Sequence, residues 1–461
     1  MPSHAVDSVL FRDLFGSEEM RAVFADEALV QRWLDVEAAL ARAEAACGLV
    51  PAEAAAEITR RARVELLDLD DLGRRIMETV HPIVPLVRAL GAVCEGDCGQ
   101  YVHWGATTQD IMDTATVLQL RDATAIVARQ LRELADALAG LARAHRDTPM
   151  AGRTHGQHAV PITFGFKAAV WLAEVERHRD RLDALLPRLL VIQFSGAVGS
   201  LASVGAPGLA VQEALAAELD LAVPPIAWHT ARDAIAELAC VLGLVAGTTG
   251  KIANEVIALQ KTETLEVQEP WHHGKVGSST MPHKRNPMLC EAVVGMTKLA
   301  RGLVPVVLDL MVQEHERDMR AWHAEWEAIP ELCILTGGSL RTTVDVLRGL
   351  EVDPARMRAN LEATKGLILS ERVMMELAAA LGRGHAHELV YEASMRAFRD
   401  DRPLGDVLRE DAELASSPAS GEDLDRILDP ATYTGLCAAF VDRVLDLHGS
   451  RPNGRDVTDG R

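Results

Sequence analysis

The stretch Thr114–Asp147, TATVLQLRDATAIVARQLRELADALAGLARAHRD, is the part of this sequence that decides the fold class. Its apolar residues recur every three or four positions, which is the spacing of one face of an α-helix. A single long helix is therefore predicted, and long helices joined by short loops are typical of a bundle and not of a sheet. The residues of this face are Val117, Leu120, Ala123, Val127, Leu131, Leu134 and Leu138.

The same periodicity recurs elsewhere along the chain. It predicts a helix over Asp26–Cys47, with Asp26 as its capping residue, Gly48 at its end and Pro51 in the first turn of the next helix. There is no alternating strand pattern of useful length and no repeat of fixed period, so the predicted class is all-α. From residue 364 onward, shorter patterns and frequent turns indicate a small separate domain. The remaining long helical patterns cover residues 161–189, 207–220, 231–266 and 288–312.

Composition and charge limit the possible functions. The 461 residues are 48% hydrophobic and 25% charged, as expected of a globular protein, and the net charge is −20. A nucleic-acid partner is not expected because no basic run is present, whereas an anionic small molecule can still bind in a locally positive pocket. We expect no membrane span, no secretory signal, a cytoplasmic location and seven cysteines that stay free thiols.

The most unusual segment is GKVGSSTMPHKRNP, residues 274–287. It lies between two long helical patterns, and its glycines, serines and prolines cannot form a regular helix. Two interpretations are open from composition alone. The segment is either a polar surface loop, or a loop that binds a carboxylate through Lys284, Arg285 and backbone amides.

Residues 277–287, GSSTMPHKRNP, resemble the signature loop of the fumarase/aspartase superfamily. Two further segments are similar to the other active-site segments of that superfamily, VHWGATTQD at residues 102–110 and GRTHGQHA at residues 152–159. The resemblance implies three helical domains, expected here at 1–112, 113–363 and 364–461, with a central long-helix bundle. It also implies a homotetramer in which three subunits contribute to each active site.

The resemblance implies a role for each matching residue. Ser278 is expected to be the base that removes a weakly acidic proton next to a carboxylate, with loop amides and Lys284 stabilising its alkoxide. His155 is expected to protonate the leaving group, because imidazole is a suitable acid near neutral pH. His81 matches a second active-site histidine, although a histidine that caps a helix is an alternative. The expected substrate-binding residues are Thr107, Thr108, Thr154, Gln157, Lys284, Asn286 and Arg232.

Other histidines have weaker assignments. His103 is either structural or catalytic. The adjacent His272 and His273 have no second ligand set at metal spacing, so a solvated turn is expected there. No metal ion and no cofactor is expected.

Within the superfamily, several segments resemble the cycloisomerase branch, which acts on 3-carboxy-cis,cis-muconate. They are Trp228–Asp233, Glu314–Arg317, Trp322–Trp326 and Glu351–Arg358. His155 departs from that branch, whose bacterial members usually carry tryptophan at this position. Trp322 and Trp326 stand where adenylosuccinate lyase binds a phosphate with serine and arginine, and indole cannot replace those groups.

The first expectation is therefore a carbon–nitrogen lyase that releases fumarate by β-elimination from a small dicarboxylate-type substrate, a succinate derivative. Its leaving group would be ammonia, an amine or nitrite. The alternative is the lactonising cycloisomerase of aromatic catabolism, and adenylosuccinate lyase is less favoured. A non-enzymatic crystallin-like protein, or a helical scaffold, would instead be unaffected by Ser278→Ala.

Overall fold

The structure, a computed structural model, describes residues 4–271, 274–415 and 422–451. Over these residues the protein is mainly helical, which confirms the all-α prediction. The predicted turn at His272 and His273 lies outside the described residues.

The N-terminal helices include the first long one that the sequence predicts. This helix begins at Asp26 and Gly48 follows its end with φ +75°, a backbone conformation that glycine adopts without strain. The capping role predicted for Asp26 is wrong, because Ala25 holds the N-cap position and Asp26 lies in the first turn. Pro51 likewise precedes the next helix instead of lying inside it. These helices are α1 Arg12–Phe15, α2 Glu18–Val23, α3 Asp26–Ala46, α4 Ala52–Arg61, α5 Leu69–Thr79 and α6 Ile83–Val93.

The middle of the chain contains the longest helices. All the predicted ones are present, although the longest begins at Thr108, before the predicted start at Thr114. One helix was not predicted, and it contains Pro330, which interrupts the sequence pattern. The helices are α7 Thr108–Ala144, α8 Phe164–Leu189, α9 Gly208–Leu219, α10 Asp233–Gln260, α11 Met288–Asp309 and α12 Met319–Arg348.

By length and composition, one described helix, α10, is apolar enough to cross a membrane. In the fold, 67% of its apolar window is buried, as in the core helix of a globular domain.

Within the described ranges, two small antiparallel strand pairs interrupt the helical fold. β1 (Pro149–Thr154) pairs with β2 (Gln157–Thr163), and β3 (Val267–Gln268) pairs with β4 (Glu351–Val352). The first pair corrects the expectation that no useful strand is present. Its register shifts between Ala151 and Arg153, which is a bulge that breaks the alternating pattern in the sequence.

Shorter helices follow, as the turns beyond residue 364 indicate. In the part of the chain that the structure describes, they are α13 Pro354–Glu362, α14 Ser370–Leu381, α15 Arg383–Arg399, α16 Leu404–Arg409, α17 Ala412–Ala415, α18 Glu422–Ile427 and α19 Cys437–Gly449.

The fold contains two compact units, each assembled from three stretches of the chain. The first unit has a core of apolar side chains from α3, α4 and α6 packed with Phe194 and Trp322. The predicted domain boundaries near residues 112 and 363 stay a prediction. The first unit is Met1–Leu131, His178–Gly250 and Ala292–Arg341, and the second is Arg132–Arg177, Lys251–Glu291 and Thr342–Arg461.

Candidate active site

Ser278 lies in the second unit, in the loop between β3 and α11. Its hydroxyl oxygen accepts hydrogen bonds from the backbone N–H groups of Met281 at 3.1 Å and Thr280 at 3.4 Å. Two amide donors aimed at one oxygen stabilise negative charge on it, which is what a serine needs in order to act as a base. The expectation that loop amides support Ser278 therefore has a geometric basis.

The loop is folded tightly around Ser278. Gly277 is buried, and a β-carbon at this position would collide with the carbonyl oxygen of Lys284. The Asn286 side chain donates to the Gly277 carbonyl at 2.6 Å, so one of its amide hydrogens holds the loop closed. The Lys284 side chain is exposed, so a ligand can reach it.

Glu269 anchors the base of this loop. Its buried carboxylate binds the Lys275 ammonium group at 2.8 Å and accepts from the N–H groups of Leu289 and Cys290, both at 3.2 Å. These two amides belong to the first turn of α11, where a carboxylate is favoured by unpaired donors and by the helix dipole. One buried group thus joins the beginning and the end of the loop.

His155 lies at the tip of the β1–β2 hairpin, also in the second unit. His155 and Gly156 both have positive φ, +54° and +77°, which forms the tight two-residue turn of a hairpin. Thr154 and Gln157 are paired on either side of the turn, and all four residues are exposed. The structure therefore brings three predicted site residues together on one projecting tip.

His81 contacts Thr108 in the first unit. The Val84 N–H donates to His81 Nδ1 at 3.2 Å, so the neutral ring carries its proton on Nε2, 2.8 Å from Thr108 Oγ1. Burial, followed by the nearby charges of His103 and Arg317, lowers the pKa of His81. The contact of Nδ1 with Val84 fits the alternative interpretation, a histidine that caps a helix. The other ring nitrogen, Nε2, contacts Thr108, a predicted substrate-binding residue.

Arg317 is a site residue that the sequence-based assignments missed. Its guanidinium donates to Thr107 Oγ1 at 2.6 Å and to Gln109 Oε1 at 3.3 Å, at the first turn of α7. This half-buried cation and the N-terminus of a long helix both favour an anion. The signal available in the sequence was Glu314–Arg317, which indicated a branch of the superfamily and no role for the arginine.

A buried network fixes the start of α7. Asp110 accepts from the Thr107 N–H at 3.0 Å and from the N–H groups of Ser195 and Gly196 at 3.1 and 2.9 Å. The His229 Nε2 lies 2.8 Å from the same carboxylate. The backbone at Thr107, just before α7, is therefore held in place.

Arg232 does not fit the substrate-binding role assigned to it. Its side chain is only 1% exposed, and Asp113 accepts two of its hydrogen bonds at 2.8 and 3.0 Å. Glu325 accepts two more, one of them at 3.0 Å from Nε. Because four of its five donors are used inside the fold, Arg232 neutralises two buried carboxylates and cannot bind a substrate carboxylate.

His103 is paired within the fold as well. Its Nδ1 lies 2.7 Å from a carboxylate oxygen of the fully buried Glu37. Burial by itself lowers the pKa of His103, but the charge of Glu37 and its hydrogen bond outweigh this and raise the pKa. This geometry favours the structural alternative for His103.

One group of described residues has the composition of a metal site, His4 with Glu327 and Glu331. The two ring nitrogens of His4 face different carboxylates, Nδ1 at 3.1 Å from Glu331 and Nε2 at 3.2 Å from Glu327. A histidine held in this way is satisfied as an imidazolium. A metal ion would have to break one of these ion pairs, so we assign no site here.

The predicted residues thus form two groups. The first unit holds His81, Thr107 and Thr108 beside Arg317. The second unit holds the hairpin tip and the Ser278 loop. The assembly of both groups into one active site stays a prediction.

Comparison with known proteins identifies the family. The family model "Lyase" matches residues 16–302, and "Adenylosuccinate lyase C-terminus" matches residues 366–444. The chain is 49% identical to the 3-carboxy-cis,cis-muconate cycloisomerase of Pseudomonas aeruginosa, covering 95% of this chain and 96% of the relative. It is 45% identical to the N-acetyl-S-(2-succino)cysteine lyase of Enterococcus italicus, covering 96% of this chain and 97% of that relative.

A solved structure agrees with both the sequence matches and the fold. The 3-carboxy-cis,cis-muconate lactonizing enzyme from Pseudomonas putida superposes with a TM-score of 0.91 at 46% identity, over 96% of this chain and 99% of that one. The solved structure shares the fold, and both it and the sequence relatives extend over nearly the whole chain. The protein therefore belongs to the Lyase family and is an enzyme of the fumarase/aspartase superfamily.

Proposed function

We propose that this enzyme adds or eliminates a group at the carbon β to a carboxylate in a small polycarboxylic acid, with Ser278 as the proton-transfer residue. The observation that carries the proposal is the pair of backbone N–H donors on Ser278 Oγ. In elimination, the Ser278 alkoxide takes the proton from the α-carbon and the electron pair passes into an aci-carboxylate before the leaving group departs. In the reverse reaction, the addition of a group, the same serine returns the proton to the α-carbon.

The carboxylate needs positive charge and hydrogen-bond donors, because it carries the additional negative charge of the intermediate. Arg317 supplies charge at the first turn of α7, where Thr107 and Thr108 supply hydroxyl groups. Lys284 and the remaining Asn286 donor are the groups proposed for a second carboxylate. Two such sites suit a dicarboxylate or tricarboxylate.

The relatives favour lactonisation of 3-carboxy-cis,cis-muconate over the fumarate-releasing elimination that the sequence first indicated. Cycloisomerases of Pseudomonas aeruginosa and Pseudomonas putida are 49% and 47% identical to this chain. In this reaction a carboxylate oxygen closes a ring onto the β-carbon, while Ser278 delivers its proton to the α-carbon. Both reactions use the same groups in opposite directions.

Fumarate-releasing elimination is the second candidate, and His155 is the observation in its favour. The exposed imidazole at the hairpin tip can donate a hydrogen bond or a proton to a departing atom, where cycloisomerases usually carry tryptophan. The name of the Enterococcus italicus relative adds a thiol to the expected leaving groups, which were ammonia, an amine and nitrite. In either reaction we assign His155 to the atom that leaves or attacks.

A nucleotide is not the proposed leaving group. Trp322 is buried, and its indole N–H donates to Asp113 at 3.1 Å. It packs edge-on against Trp326, with ring centroids 5.0 Å apart. Neither indole presents the charge that a phosphate requires.

The proposed assembly is a cytoplasmic homotetramer with active sites shared between three subunits. Large apolar side chains are exposed on the long helices α10 and α11, which is the composition expected of a surface that another subunit covers. They are Leu244, Leu299, Val306 and Leu308, between 41% and 51% exposed. The cytoplasmic location is proposed from the seven scattered cysteines of the sequence, a usage typical of proteins in a reducing compartment.

A substrate panel tests the proposal. The protein is incubated with 3-carboxy-cis,cis-muconate, N-acetyl-S-(2-succino)cysteine, aspartate, nitrosuccinate, argininosuccinate and adenylosuccinate, and fumarate formation and muconate loss are followed by ultraviolet absorbance. Muconate loss without fumarate supports the cycloisomerase, and fumarate from one adduct supports the elimination. Ser278→Ala should abolish either activity, while Ser279→Ala, which removes an exposed hydroxyl from the same loop, should not. An active Ser278→Ala enzyme would contradict the proposal.

A further inference from the structure

Arg153 lies two residues before His155 and points its guanidinium into the fold. The strand register shifts between Ala151 and Arg153, and Gly152 between them packs so closely on the Val160 carbonyl that a β-carbon would lie 2.7 Å from that oxygen. Arg153 is therefore the last inward anchor before the exposed tip of the hairpin.

The anchor is an ion pair with Glu266, whose carboxylate is completely buried. Arg153 Nη1 donates to one carboxylate oxygen at 2.9 Å and Nη2 donates to the other at 2.7 Å. The Asn360 side chain adds a third hydrogen bond at 2.8 Å. A two-pronged contact of this kind fixes direction as well as distance, which a single charge cannot do.

The backbone of Glu266 is fixed by two hydrogen bonds to other segments of the same unit. Its N–H donates to the carbonyl of Leu259 at the end of α10, at 2.9 Å, and its carbonyl accepts from the Asp353 N–H at 3.0 Å. The next two residues form β3, which is followed directly by Glu269 at the base of the Ser278 loop. The hairpin tip is thus tied to a rigid point of the same unit, next to the segment that leads to the catalytic loop.

We propose that Arg153 and Glu266 are positioning residues for the reaction, which orient the hairpin so that His155 meets the departing or attacking atom. This inference rests on the role that the proposed function gives to His155. An exposed two-residue turn has few contacts of its own, and small displacements of a catalytic group lower the rate far more than they weaken binding. The buried ion pair of Arg153 with Glu266 fixes the orientation of the hairpin that carries His155.

A double-mutant cycle on the full-length enzyme tests the inference, assayed with the panel substrate that is turned over fastest. Arg153→Met should lower kcat roughly 10- to 100-fold with little change in KM. Arg153→Lys keeps the charge but loses the two-pronged contact, and should restore only part of kcat. In a His155→Ala background, Arg153→Met should have less than about a 2-fold effect, because its partner in function is already absent.

Two further comparisons keep the test decisive. Arg153→Met leaves a buried carboxylate unpaired, so Arg153→Met/Glu266→Gln is made alongside it to remove that charge, and should fold and show the same loss of kcat. If Arg153→Met lowers kcat equally in the wild-type and His155→Ala backgrounds, the positioning role is overturned, while a slow His155→Ala enzyme would still support the proposed function. A fully active His155→Ala enzyme would overturn the positioning role and the role assigned to His155, whereas the proposed function itself fails if Ser278→Ala stays active.

Discussion

Gly277 and Lys284 approach each other so closely that the backbone of the loop leaves no room for a side chain at residue 277. The close approach is between Gly277 and the Lys284 carbonyl oxygen, and it closes the turn in which Met281 and Thr280 donate to Ser278. The glycine is therefore part of the geometry that stabilises the Ser278 alkoxide.

Gly277→Ala should inactivate the enzyme without unfolding it. The added methyl group must push the Lys284 carbonyl away, which displaces the donors on Ser278, and a displacement of about 1 Å can lower kcat roughly 100-fold. Steady-state kinetics and a thermal melt measure the two effects. Gly140→Ala is the control, because this exposed helical glycine has open space around it. A Gly277→Ala variant with more than half of the original kcat would contradict the loop geometry.

Arg317→Met should raise KM strongly. The substitution keeps much of the length of the side chain but removes the cation at the start of α7, and a charge-assisted hydrogen bond contributes about 1.5–3 kcal/mol, which corresponds to a rise of roughly 10- to 150-fold. Arg320→Met, three residues later, is the control because that guanidinium is exposed and binds Glu314 and Asp318. Equal KM values for the two variants would argue against a carboxylate site at Arg317.

Arg232→Met should destabilise the fold instead of weakening substrate binding. Asp113 and Glu325 would be left buried without their counter-charge, which typically costs about 3–5 kcal/mol of unfolding free energy. Denaturation by guanidinium chloride measures the effect. Arg188→Met is the control, since its ion pair with Glu237 is exposed and should hardly change the midpoint. A stable Arg232→Met protein with a raised KM would restore the substrate-binding role.

The difference in unfolding free energy between Glu44→Gln and the wild type should grow in favour of the variant as pH rises. Burial, followed by the charge of Glu37, raises the pKa of Glu44 to about 9 from 4.5. Stability supplied by the protonated group is complete below pH 4.5 and is lost as pH rises towards 9, because only the unfolded chain ionises freely there.

Glutamine resembles the protonated acid and does not ionise, so the variant escapes this loss. Between about pH 5 and pH 8 its unfolding free energy should gain roughly 2–4 kcal/mol on the wild type. Glu53→Gln on the neighbouring helix, with an exposed side chain, should follow the wild-type curve. A constant difference between Glu44→Gln and wild type across this range would mean that Glu44 is ionised in the fold.

Helices were predictable because their signal is local. The apolar spacing of Thr114–Asp147 predicts α7 whatever the rest of the chain does. The helix α12 was not predicted, and Pro330 inside it counts against a helix in the sequence because proline lacks a backbone N–H. The β1–β2 hairpin was missed because the bulge before Arg153 destroys the alternation by which strands are recognised.

The site was predictable where a continuous segment forms it. Ser278 and its amide donors are within four residues, so the loop motif carries the geometry. Arg232 was misassigned because its partners, Asp113 and Glu325, are 119 and 93 positions away along the chain. Arg317 was missed for the same reason, since its partner Thr107 is 210 positions away. Neither burial nor pairing of distant charges can be read from one segment.

Mixing two inactive variants should restore activity if active sites are shared between subunits. His81→Gln removes a histidine of the first unit that the resemblance predicts to be catalytic and that contacts Thr108, and Ser278→Ala removes the base in the second, so we expect each variant alone to be inactive. In a tetramer reassembled from equal amounts of both, about a quarter of the sites combine an intact His81 segment with an intact Ser278 segment. Half of the subunits carry an intact His81 and half carry an intact Ser278, so a site that takes the two from different subunits has both with a probability of about one in four.

The measurement is activity after joint dissociation in mild denaturant and refolding. Each variant refolded alone is the control for spontaneous recovery, and wild type refolded alone sets the full value. Recovery of about a quarter of that value would support a site in which His81 and Ser278 come from different subunits. No recovery, with tetramers still formed, would mean that one subunit supplies both residues and that the shared-site proposal fails for this pair.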